Sequence, residues 1–297
     1  MSDLVIGTII GLLSSAFFAI QNVLIGGEKE EVNALIANSI KMWVSLPLML
    51  FLVLFPWRIH EFLLPQSVLL PLAISIILGG AFGDAIYLSS QERIGVSRAF
   101  PIANTFPIIT YIAALFLLDE VMRITTISGI VLAIIGVVLV SRELEPVESG
   151  EESLPYDWRG LALAFLSAIM LAFATIFMDI GVSDIDPIDA NLFRMSIGSI
   201  VMIPIFSVSY RQRSRQLSKR AVRMVAAAGF FGMGLASLLY IASIKLVGAT
   251  IGAVIGSTSP LFALPFSVFY LKERITWKGS LGTIATILGI WLVVAAV

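Results

Sequence analysis

Ten apolar stretches, each long enough to cross a hydrocarbon core, follow one another along this chain with short polar breaks between them. They fall at 4–26, 32–55, 67–90, 94–118 and 124–141, then at 158–180, 187–209, 221–244, 249–271 and 277–296. A crossing helix takes roughly 20 apolar residues. In hydrocarbon every backbone polar group must bond internally, so these stretches are predicted to be helices; the dyad-alternating segments of a transmembrane barrel are not seen. Charged residues make up only 13% of the chain, against roughly 25% in a soluble domain. The amino terminus, Met1-Ser2-Asp3, has no positive n-region, and Leu4 to Ile25 is longer than a signal h-region, so a retained first helix is expected.

Composition narrows the chemistry. With a net charge of −1 the chain has no basic character to suggest nucleic acid. There is no cysteine, which removes disulfides, thiolate nucleophiles and Cys-ligated metals, and His60 is the one histidine. No Gly-x-x-x-x-Gly-Lys loop occurs, so ATP drive from this chain is not expected. No metal, no cofactor and no catalytic residue is expected.

Placing residue n over residue n+153 aligns the two sets of stretches without a gap. Gly79, Tyr87, Ser90 and Gly95 fall on Gly232, Tyr240, Ser243 and Gly248; Thr105, Pro107, Phe116 and Glu120 fall on Thr258, Pro260, Phe269 and Glu273. Gly129 and Gly136 fall on Gly282 and Gly289, and upstream Gly7, Ser14 and Asn38 fall on Gly160, Ser167 and Asn191. Apolar matches are cheap in such a composition, whereas Gly, Pro, Tyr, Glu and Asn in one register are not. The predicted fold class is therefore an all-α integral membrane protein of ten transmembrane helices in two five-helix repeats, 1–141 and 158–297. The acidic segment 142–157 reads as a solvated linker. Five is odd, so the second half must enter from the opposite side, giving the inverted-topology repeat typical of secondary transporters.

The run Tyr87 to Gly95, then Ser97, Pro101, Thr105, Pro107, Leu117-Leu118-Asp119-Glu120 and Gly129…Gly136, with its counterpart Tyr240, Gly248, Thr250, Thr258, Pro260, Leu271-Lys272-Glu273-Arg274 and Gly282…Gly289, resembles the EamA-type branch of the drug/metabolite transporter superfamily. The resemblance covers both halves and implies helices 1, 3, 4, 6, 8 and 9 around a central cavity, helices 2 and 7 as moving flanks, and helices 5 and 10 at the periphery. It also implies amino acids and related metabolites as exported cargo in prokaryotes, and nucleotide sugars or phosphorylated sugars in eukaryotic relatives.

Lys41 and its repeat mate Arg194 lie near mid-membrane, where a charge costs roughly 2.5–3.5 kcal/mol on insertion scales. Asn38 and Asn191 share their faces at i, i+3 spacing. These four read either as paired sites for an anionic substrate or gating, or as structural cations satisfied by carbonyls or snorkelling. Asp84, whose mate is Ser237, is read as the one carboxylate well inside an apolar helix; it could couple protons, meet a substrate amine, or pair with Lys41 or Arg98 for packing alone. Thr105-Phe-Pro107 and Thr258-Ser-Pro260, beside Asn104 and Ser257, are expected to kink helices 4 and 9 and free a carbonyl. With Tyr87, Tyr111 and Tyr240 they are candidate cavity residues, a purely structural kink being the alternative. Glu120 and Glu273 end helices 4 and 9; each is expected to favour the start of the next helix, with Arg123 and Arg274 near for pairing. The glycine pairs of helices 5 and 10 suggest close packing within the fold, or a dimer seam.

The expected function is a secondary active transporter, an exporter of a small polar metabolite such as an amino acid, working by alternating access with protons or a counter-substrate as coupling partner. An intramembrane enzyme and a passive channel are the alternatives; the first lacks paired acids or His at depth and the second lacks charged rings. The substrate is the one expected small-molecule partner, the bilayer the other, and no oligomeric state is implied. In a cell membrane, loops 2–3, 4–5, 6–7 and 8–9 carry only Arg58, Arg123 and Lys245, while the opposite loops hold far more, including Arg211, Arg213, Arg215, Lys219, Arg220 and Arg223. The positive-inside rule then puts both termini outside, whereas eukaryotic relatives keep theirs in the cytosol.

Overall fold

The computed structural model describes residues 2–26, 31–55, 62, 64–94, 99, 102–143, 157–211, 217–262 and 277–296. Helices α1 (Asp3–Gly26), α2 (Ala34–Leu54), α3 (Gln66–Ile76) and α4 (Asp84–Ile94) come first, the last two joined by a π-helical segment, Ile77–Gly83. Then follow α5 (Phe106–Leu117), α6 (Ile124–Glu143), α7 (Trp158–Val182) and α8 (Pro187–Arg211). A second π-helical segment, Phe230–Ala236, joins α9 (Lys219–Gly229) to α10 (Ser237–Gly256), and α11 (Trp277–Ala295) closes the chain. Among the described residues there is no strand.

Among the described residues six helical stretches are long and apolar enough to cross a membrane: Asp3–Ile25, Ala34–Leu54, Gln66–Gln91, Trp158–Val182, Pro187–Arg211 and Lys219–Gly256. Shorter apolar helices occupy Phe106–Leu117, Ile124–Val140 and Ser280–Ala295. Large apolar side chains face outward, Phe116 and Ile124 at 80% exposure and Trp291 at 64%. Water would penalise such a surface and lipid does not.

Local chemistry sets the boundaries. Asn33, Asp157 and Ser218 cap α2, α7 and α9, each side-chain oxygen accepting a first-turn N–H (2.9, 2.9 and 3.1 Å). Glycine at 79, 80 and 83, and at 232 and 234, loosens the i→i−4 ladder where the π segments form, and these segments sit at repeat-equivalent positions. Gly248 takes φ +79°, a left-handed conformation that breaks α10 internally. The break falls between the expected eighth and ninth stretches. Ile94, expected to open the fourth stretch, instead ends α4. The ninth stretch beyond residue 262, including Phe269 and Glu273, lies outside the described residues, as do Gly95, Arg98 and the linker 144–156.

Between the halves, contacts exchange symmetrically. The Ser90 hydroxyl donates to the Gly160 carbonyl at 2.8 Å, and Ser243, its repeat mate, donates to Gly7, the mate of Gly160, at 2.8 Å. Helices α2 and α8 run antiparallel over a methionine-rich core of Met42, Met49, Met195, Met202 and Met233. Trp43 Nε1 donates to the Ser199 carbonyl (3.1 Å), and Met49 lies beside Asn191. Helices α6 and α11 also cross antiparallel, Gly129 facing Gly289 and Gly136 facing Gly282. The small residues thus pack within the fold.

Candidate functional site

Two polar clusters occupy repeat-equivalent places beside the two π segments. In the first, Lys41 is 1% exposed and its Nζ lies 3.3 Å from Asp84 Oδ2 at the start of α4. Asn38, one turn before Lys41, donates through Nδ2 to the Gly80 carbonyl at 3.2 Å, inside the π segment, while its Oδ1 is buried without a partner among the described residues. In the second, Arg194 is 4% exposed and carries no carboxylate partner among the described residues. Its Nε donates to Ser75 Oγ (2.9 Å), and its Nη1 donates to Asn191 Oδ1 (3.3 Å) and Ser237 Oγ (3.1 Å). Ser237 donates in turn to Asn191 Oδ1 at 3.0 Å. One half answers its buried cation with an acid; the other answers with neutral oxygens.

The tyrosines divide. Tyr240 is half-buried with its hydroxyl 3.4 Å from Thr175 Oγ1 and its ring edge-on to Phe18, within electrostatic reach of Arg194. Tyr87, its mate, lies beside Gln91 one turn on. Tyr111 sits apart. Its hydroxyl donates to the Val121 carbonyl (3.3 Å) and accepts from the Arg123 amide (2.8 Å), tying α5 to the next turn among Ile130, Ala133 and Ile251.

The Thr-x-Pro motifs do not bend continuous helices. At Asn104–Thr105 and again at Ser257–Thr258 the helix opens into a turn and restarts with proline in its first turn. A threonine hydroxyl bonds back into the turn at each break. Thr105 Oγ1 donates to the Ile102 carbonyl at 2.7 Å, and Thr258 Oγ1 to the Ile255 carbonyl at 2.6 Å, which also accepts from Ser15. Each threonine hydroxyl turns back onto the carbonyl three residues earlier, which also accepts the threonine's own N–H. Asn104 and Ser257 are buried at these turns, and Pro107 and Pro260 behind them.

Two acids were misplaced by sequence reasoning. Asp84 is not alone: Asp179, in the last turns of α7, is half-buried and lies close to the Ala249 backbone. Glu120 does not pair with Arg123. It reaches Thr250, whose hydroxyl donates to Oε2 at 2.8 Å. Both carboxylates therefore meet the chain where Gly248 restarts the helix and leaves first-turn donors open. Burial pushes the Glu120 carboxyl above its usual range, with the Thr250 hydrogen bond offsetting part of that. The readable signal was Gly248 itself, a glycine directly ahead of Ala-Thr. Among the described residues, no group of three or more His, Asp or Glu could hold a metal ion.

The model of the EamA-like transporter family matches residues 5–142 and 158–295. The chain belongs to that family. EamA relatives carry transporter names: an uncharacterized transporter of Archaeoglobus fulgidus is 26% identical, covering 75% of each chain, and the Bacillus subtilis transporter YoaV is 21% identical, covering 82% of this chain and 81% of its own. A Staphylococcus epidermidis protein whose name, RbsU, proposes ribose uptake is 24% identical over 78% of each. A solved crystal structure superposes over 96% of this chain and 95% of its own with a TM-score of 0.78 at 14% identity, a likeness of fold. This EamA protein is thus a multi-pass membrane protein of a transporter family.

Proposed function

We propose that this EamA protein is a secondary carrier that exports a small polar metabolite by alternating access, using two inverted five-helix halves, 1–141 and 158–297, around a shared polar centre. The observation that carries the reading is the placement of two kinds of helix irregularity at repeat-equivalent positions: π segments at Ile77–Gly83 and Phe230–Ala236, breaks at 104–105 and 257–258. Interrupted helices matched across two halves are where carriers place substrate. Loop contacts favour inversion over a parallel duplication. Glu31, before α2, accepts from Ser218, before α9, and Arg93 at the end of α4 pairs with Asp157 at the start of α7 (3.1 Å). Parallel halves would put the members of each pair on opposite faces. Lys41, Asn38, Asp84 and Tyr87, with Asn191, Arg194 and Tyr240, are the proposed substrate and gating residues. Loop charge favours both termini outside.

The test is counterflow in proteoliposomes loaded with one unlabelled solute at a time, from a panel of amino acids, sugars and organic acids. Uphill uptake of the matching label supports the carrier; saturation-free leak supports a channel, and chemical turnover an enzyme. The name of the Staphylococcus relative favours a second reading, pentose uptake, which counterflow by ribose alone would select.

A further inference from the structure

We propose that Arg194 is the anchoring point for a carboxylate on the transported solute, and that the solute supplies the counter-ion which the first half carries in its own chain as Asp84. This rests on the carrier reading. The two halves provide an internal comparison. At equivalent positions stand Lys41 and Arg194, both buried, and at the positions facing them stand Asp84 and Ser237. The first cation is neutralised within the chain at 3.3 Å. Among the described residues the second has only the dipoles of Ser75, Asn191 and Ser237. A buried charge left with dipoles alone is poorly compensated.

The donor arithmetic fits a ligand. A guanidinium has five N–H donors in a fixed fork. Nε spends one on Ser75 and Nη1 spends its two on Asn191 and Ser237, so among the described residues both Nη2 donors remain uncommitted. Arginine presents such donors to a planar oxyanion in a way lysine cannot, and arginine, not lysine, stands on the side that lacks an acid. Ser237 differs from its mate Asp84 by the absence of one carboxylate group, so the group missing from the cluster is the size and charge of a carboxylate. A phosphate dianion would overcompensate a single buried cation. Tyr240, half-buried with its hydroxyl near Thr175, is close enough to feel the charge of Arg194.

The experiment uses purified full-length protein in detergent, with sodium acetate as the minimal carboxylate, sodium chloride at equal ionic strength as control, and inorganic phosphate as a second arm. Acetate is expected to raise the melting temperature saturably over chloride, as any ligand of the native state does. Ser237→Asp, which writes the first half's counter-ion into the second, is expected to lose the acetate response. Arg194→Gln is expected to lose it as well, and keeps the test intact if Ser237→Asp fails to fold. Arg93→Gln, which removes an exposed cation paired with Asp157 outside the cluster, is expected to retain it. No saturable response in the unaltered protein, an unchanged response in Arg194→Gln, or a larger response to phosphate than to acetate would overturn the proposal. Counterflow of a neutral solute with no acetate response leaves the carrier reading standing and removes this one alone.

Discussion

The Lys41–Asp84 pair allows a quantitative test of how the two halves differ. Lys41 is 1% exposed, and the Asp84 side chain 27%. Removing one member of a buried pair costs about 3–5 kcal/mol, because the other charge stays behind uncompensated. Partial exposure of the acid leaves the lysine as the stranded group, so Asp84→Asn is expected to cost about 3 kcal/mol, the low end of that range. Lys41→Met costs less, since a lone Asp84 keeps contact with solvent, and the double variant should recover about 1–3 kcal/mol as coupling. The repeat-equivalent change Ser237→Ala removes two hydrogen bonds, a charge-assisted one accepted from Arg194 and a neutral one to Asn191 of the kind that averages about 0.6 kcal/mol in membranes, and strands no charge that Ser237 itself neutralised. The assay is equilibrium unfolding in mixed micelles, read by tryptophan fluorescence for the two singles, the double and Ser237→Ala. Additive singles, with coupling below about 0.5 kcal/mol, would refute the claim that the pair acts as one energetic unit.

Gly136→Val should loosen the α6–α11 crossing by about 1–3 kcal/mol, because a Cβ there lies 2.5 Å from the Gly282 carbonyl oxygen and the Thr286 amide; a melting temperature equal to that of the unaltered protein would exclude the contact. Gly248→Ala meets open space but inherits φ +79°, so a loss of about 1–2 kcal/mol is expected from backbone strain alone, and no loss would mean the break relaxes. Folding raises the Glu120 pKa, so the native state binds its proton more tightly than the unfolded chain does. Stability contributed at this site should then rise as pH falls through the raised native pKa toward the ordinary value of 4.5, and Glu120→Gln should flatten that part of the profile. An unchanged slope in the variant would count against the buried position of the carboxyl. Cysteine at Ser214 in this cysteine-free chain reports orientation: labelling of intact cells by an impermeant maleimide would place the basic segment outside, against the charge count.

Much of this architecture was legible because it follows from length, hydropathy and repetition. The bounds of α2, α6, α7, α8 and α11 lie within a few residues of the apolar stretches, and the break at Gly248 falls between the stretches at 221–244 and 249–271. Lys41 and Asp84 could be named from their cost in hydrocarbon, which leaves few alternatives to pairing. What failed to read through was contact between elements distant in sequence. Glu120 is expected from sequence to favour the start of the next helix, because a carboxylate is unfavourable at a helix C-terminus, with Arg123 near for pairing. Its partner, Thr250, instead lies 130 residues away on a helix end created by one glycine. Asp179 escaped notice near the edge of its stretch, where an acid usually meets water; the longer α7 draws it partly inside. The π segments left no pattern beyond glycine content, since the period of an extra backbone residue per turn is too short-lived to register in hydropathy.

The most direct test of the central claim, two halves of opposite orientation, uses repeat-equivalent loop positions 153 residues apart. Glu30→Cys and Ser183→Cys follow the first helix of each half, in a chain without native cysteine. Each is labelled in intact cells with an impermeant maleimide, then after permeabilisation. Inverted halves predict that one position reacts in intact cells and the other only after permeabilisation. Reaction of both from the same side would mean parallel halves, and the alternating-access account built on their inversion would fall.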